Sequence, residues 1–69
     1  MPLRIAGAYF VRALAKLRSN KIMSALDDAN SAANLFKAEG NLERYQNCLD
    51  LIKEIWQTSA NRIKKEKDN

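Results

Sequence analysis

Histidine is missing from this 69-residue chain, and cysteine occurs once, as Cys48. Without histidine the commonest general base and metal ligand is gone. A lone cysteine closes no internal disulfide, and its default setting is a reducing, cytoplasmic one. There is no glycine-rich phosphate loop, because the only glycines are Gly7 and Gly40. The only proline is Pro2. Such scarcity of helix breakers suits an all-helical chain, since glycine costs about 1 and proline about 3 kcal/mol inside a helix. β-branched residues are few, which argues against strands. No apolar run approaches the roughly 20 residues that span a bilayer. Leu3 to Val11 is apolar apart from Arg4, but the basic residues after it and the want of a small-residue cleavage site argue against a secretory signal.

What is present is a chain that can fold. Hydrophobic residues make up 46% of the sequence, too many for a disordered segment. The length allows one domain at most, expected over residues 1–66 with residues 67–69 as a frayed tail. The net charge of +4 is unevenly spread. Residues 1–21 carry Arg4, Arg12, Lys16, Arg18 and Lys21 with no acid. The middle, residues 22–54, is net acidic, with Asp27, Asp28, Glu39, Glu43, Asp50 and Glu54 outnumbering Lys37, Arg44 and Lys53. The end turns basic again through Arg62, Lys64, Lys65 and Lys67.

Apolar spacing predicts an antiparallel up-down-up bundle of three helices, over about residues 3–18, 20–38 and 41–65. In the first, Leu3, Ala6, Phe10, Ala13, Leu14 and Leu17 share a face. Pro2 fits its first turn, where an amide has no helical partner. Asn20 or Ser19 is expected to cap the second helix. There Ile22, Ala25, Leu26, Ala29, Ala32, Ala33 and Phe36 face inward. So many alanines let neighbouring backbones approach closely, which places this helix between the other two. Gly40 fits a left-handed residue closing the second helix, and Asn41 a cap for the third. In the third helix Leu42, Tyr45, Leu49, Ile52, Trp56, Ser59 and Ile63 alternate at 3 and 4. This stripe is expected to face the core with Trp56 as an anchor, the alternative being a coiled-coil partner helix. The end of this helix outruns the second, so it should overhang or fray.

The run from Arg12 to Ala32 resembles one tetratricopeptide (TPR) helical hairpin: Ala13, Ala25 and Ala32 match its small positions, and Ala25-Leu26 its Ala-Leu pair. Gly40-Asn41-Leu42-Glu43 is similar to a second such turn. Ala29 departs from the aromatic often found there, and no proline follows Phe36. Tetratricopeptide turns recur about every 34 residues, whereas Asn20 and Gly40 lie twenty apart. A hairpin plus one helix resembles instead the microtubule-interacting-and-trafficking (MIT) domain, a three-helix bundle. The segment from Ile52-Lys53-Glu54-Ile55-Trp56 to Asn61-Arg62-Ile63-Lys64-Lys65 is similar to the last helix of such domains.

Chemistry of the catalytic kind is not evident. Asp27 and Asp28 point about 100° apart on a helix and form no cooperating pair; a solvated face is expected for both. Cys48 has no neighbouring base and reads as a buried, inert thiol. The expected function is therefore non-enzymatic, without cofactor or metal: a small helical protein-interaction module or adaptor that binds a partner helix or peptide. Tyr9, Met23, Leu35 and Ile55 are the candidate partner-facing apolar residues. The alternative is weak binding of nucleic acid or an anionic surface through a basic pole of Lys16, Arg18, Lys21, Arg62, Lys64 and Lys65. Only Tyr9 stands among these charges as a base-stacking platform. A homodimer through the surplus apolar face of the second or third helix is a third reading.

Overall fold

The computed structural model describes residues 5–67, with side chains through residue 61. It comprises helices α1 (Ala6–Arg18), α2 (Ile22–Ala38) and α3 (Leu42–Lys67), joined by two tight turns into an antiparallel, all-α three-helix bundle. Pro2 and Leu3 lie outside the described residues. Among the described residues no helix is long and apolar enough to cross a membrane.

The two turns have the same build. Asn20 and Gly40 both adopt left-handed backbone, at φ 64° and 75°. After α1, the Asn20 N–H donates to the Leu17 carbonyl and the Lys21 N–H to the Lys16 carbonyl. After α2, the Gly40 N–H donates to Lys37 and the Asn41 N–H to Phe36. This paired pattern satisfies the last free carbonyls of a helix and reverses the chain within three residues. Asn20 is thus the residue that closes α1. The expectation that Asn20 or Ser19 caps α2 is corrected: Lys21 precedes α2 and makes no side-chain cap bond. A turn that needs positive φ takes asparagine because it tolerates that region better than other residues with a Cβ. The cap on α3 is as expected, with the Asn41 Oδ1 accepting a bond from the Arg44 N–H at 3.2 Å.

Helix α2 packs against both neighbours, whereas α1 and α3 hardly approach each other. The bundle is consequently opened into a layer measuring 45 × 25 × 12 Å, with a radius of gyration of 13.0 Å; a compact chain of this length would have about 11 Å. The core lies along α2, where Ala25, Ala29 and Ala32 are fully buried. One cluster joins Ala13, Ala25, Leu26, Ala29, Leu51 and Ile55; a second joins Ala6, Ala32, Ala33, Phe36 and Cys48. Residues equidistant from Gly40 fall side by side in the α2–α3 hairpin, so Ala32, Ala29 and Ala25 stand level with Cys48, Leu51 and Ile55.

That pairing corrects the expected inward face of α3. Cys48, Leu51 and Ile55 are buried, whereas Leu42, Leu49 and Trp56 are 68%, 37% and 57% exposed. Of the expected stripe, Tyr45, Ile52 and Ser59 are half-buried, and the Ile63 side chain lies outside the described residues. The helix is turned by about one residue, roughly 100°, because the alanine face of α2 leaves room that large side chains directly opposite must fill. Trp56 is therefore no core anchor.

Candidate protein-interaction surface

The rotation of α3 leaves its most regular apolar feature in solvent. Leu42, Leu49 and Trp56 recur at seven-residue intervals, which align them along one side of a helix. Half-buried Tyr45 and Ile52 border them on the side facing the core. The other large exposed apolar residues are dispersed: Ile5 and Val11 at α1, and Met23 on α2. Eight apolar positions of α3 from Leu42 to Trp56 divide between two faces, and α2 covers one of them.

The expected partner-facing set does not form a surface. Ile55 is fully buried in the core cluster with Leu51 and Ala29, so it leaves the set: its face is the one that fills the alanine side of α2. Leu35 and Tyr9 are half-buried against the cluster around Phe36. Met23 is 69% exposed, but it lies about a third of a turn around α2 from Leu35. Sequence reasoning found the residues of the exposed stripe and assigned them to the wrong side. Counting outward from Gly40 would have placed the alanines opposite Cys48, Leu51 and Ile55.

The candidate basic pole is also partly dismantled. Asp28 is buried, contrary to the solvated face expected for it, while Asp27 is exposed. Arg12 grips the Asp28 carboxylate with two bonds, Nε to Oδ2 at 2.7 Å and Nη2 to Oδ1 at 2.8 Å. The Lys16 ammonium stands 2.9 Å from the same Oδ2. The hydrogen bond from Arg12, aided by Lys16, holds the Asp28 carboxyl down at about 2, against the opposing effect of burial. Arg12 also lies 5.5 Å from the Tyr9 ring centroid, within cation–π reach. Arg12 and Asp28 are equidistant from Asn20, which is the signal that could have paired them. Arg18 and Lys21 are exposed at the turn. Arg62, Lys64 and Lys65 belong to α3, but their side chains lie outside the described residues.

Cys48 is fully buried, and burial pushes its thiol pKa up, which disfavours the reactive thiolate. Comparison with known protein families, with characterised proteins and with solved structures finds no match for this chain.

Proposed function

We propose that this chain is a non-enzymatic helical protein-interaction module that docks a partner helix along the outer side of α3. The observation that carries this reading is the exposure of Leu42, Leu49 and Trp56 in one heptad-spaced line. A helix with apolar residues at such spacing offers holes into which the side chains of a second helix fit. Tryptophan is the residue type most enriched among interface anchors, and a half-exposed Trp56 is placed to act as one. The alanine contacts of α1 with α2 support a tetratricopeptide-like hairpin, and the added α3 an MIT-like arrangement. A cytoplasmic setting fits the single thiol.

Immobilised full-length chain should capture a helical partner that is lost with Trp56→Ala and Leu49→Glu and kept with Met23→Glu, which alters a different face. Truncating Trp56 should weaken binding by about tenfold or more. Capture that is indifferent to both α3 variants would overturn the reading.

A further inference from the structure

The stripe on α3 is complementary to itself when reversed. Leu42, Leu49 and Trp56 are spaced by seven residues, and Ile63 continues the interval in the sequence. If two copies of α3 run antiparallel about a two-fold axis between Ile52 and Lys53, Leu49 of one copy falls beside Trp56 of the other. Position 42 then falls beside position 63, so each member of the stripe meets another member.

Charge selects the same arrangement. The first half of α3 is net acidic, with Glu43, Asp50 and Glu54 against Arg44 and Lys53. The second half is basic, with Arg62, Lys64, Lys65 and Lys67 against Glu66. Antiparallel pairing lays the acidic half on the basic half and sets position 43, a glutamate, beside position 64, a lysine, on the same flank of the stripe. Parallel pairing would lay like on like, which costs affinity and selects against that register.

Length adds a third argument. Helix α3 has 26 residues and α2 has 17, so about nine residues of α3, roughly 13 Å, extend past the end of α2. Propagating a helix into water gains little per residue, so these turns are marginal until something packs on them. In the antiparallel register these turns run beside the first turns of the second copy's α3.

We propose that this chain pairs with a second copy of itself, antiparallel along α3, with Leu49 and Trp56 meeting across the two-fold axis. The proposal rests on reading the stripe as a helix-docking face, and a second copy is its occupant. With few large side chains at the contact, the dimer is of the weak, concentration-dependent kind.

Sedimentation of the full chain over a wide concentration range tests this, together with the emission of Trp56, the one tryptophan. The expected result is a monomer–dimer equilibrium with a blue shift of the emission as dimer forms. Leu49→Glu and Trp56→Ala should each weaken the dimer by about tenfold or more, with helix content by circular dichroism unchanged because both residues are exposed. Glu43→Arg should weaken it, and Glu43→Arg combined with Lys64→Glu should restore it, since each copy's position 43 faces the other's position 64. A monomer at every concentration with unshifted emission would overturn the proposal, as would a dimer unaffected by the stripe variants. A charge reversal that the second reversal does not rescue would overturn the antiparallel register. A strict monomer that still captures a helical partner in a Trp56-dependent way rejects self-pairing while leaving the docking face in place.

Discussion

Asp28 holds the α1–α2 hairpin together by a means that its neighbour Asp27 does not share. Its carboxylate is buried yet fully partnered by Arg12 and Lys16, so the cost of taking it out of water is offset by charge-assisted bonds. Because both cations are themselves partly exposed, they regain water when the acid is removed. Asp28→Ala should therefore cost about 1–2 kcal/mol, less than the loss of a fully buried pair, as read by a denaturant melt. The acid dependence follows from the depressed pKa. Folding lowers it from 3.8 to about 2, so the contribution is complete above pH 3.8 and disappears as pH falls toward 2. Wild type should lose stability over that window, and Asp28→Ala should show a flatter profile there. The left-handed residues make a second point at this scale. A Cβ placed on Gly40 would meet nothing within 4 Å, so the cost of Gly40→Ala is backbone strain alone, about 1–2 kcal/mol. Asn20→Ala should cost a similar amount and Asn20→Gly almost nothing; equal melting points for the two Asn20 variants would mean that this turn does not hold positive φ in solution.

Elements were legible where a local rule decides them, and less so where two faces compete. The three helices, the Gly40 turn and the Asn41 cap follow from breaker residues and periodicity, because those act through backbone conformation and nearby bonds. The inward face of α2 was equally readable, since its alanines outnumber any alternative. Helix α3 is different. Apolar residues cover half of its circumference, so periodicity alone selects the more regular stripe, Leu42–Leu49–Trp56, over the less regular Cys48–Leu51–Ile55. What decides between them is the shape of α2: alanines need large side chains opposite, and only the second set stands level with them. The buried Asp28 was missed for a related reason, as its partners lie on another helix. The packing itself predicts that Ala29→Leu, which adds bulk in the buried cluster with Ala13, Leu51 and Ile55, should destabilise by about 1–3 kcal/mol. Ala15→Leu on the exposed side of α1 should change stability by only a few tenths. A thermal melt in which Ala29→Leu leaves the midpoint unmoved would place that face on the surface.

Over the whole molecule, antiparallel packing brings the end of α1 and the end of α3 to the same edge of the layer, and the sequence puts its two basic stretches there. Whether that edge acts as an anion-binding pole depends on how many of its cations are free. Lys16 is committed to Asp28, and so is Arg12 nearby, which leaves Arg18 and Lys21 as the exposed cations of this end of the hairpin. Each phosphate neutralised on duplex DNA contributes about −0.9 to the slope of log affinity against log salt. The hairpin supplies two free cations and no exposed aromatic of its own to stack on bases, so its share of the wild-type slope should be shallow beside whatever Arg62, Lys64 and Lys65 of α3 contribute. Asp28→Ala releases Arg12 and Lys16, so it should steepen the slope by up to about 0.9 for each cation that finds a phosphate, even as it lowers stability. Titrating duplex DNA at two salt concentrations measures both slopes, and Arg18→Gln with Lys21→Gln supplies the reference with those charges removed. Tight, salt-steep binding by the wild type that this double variant abolishes would make nucleic acid, and not a helix, the ligand of this chain. A slope that Asp28→Ala leaves unchanged would show that the buried acid holds the hairpin without governing the charge of its end.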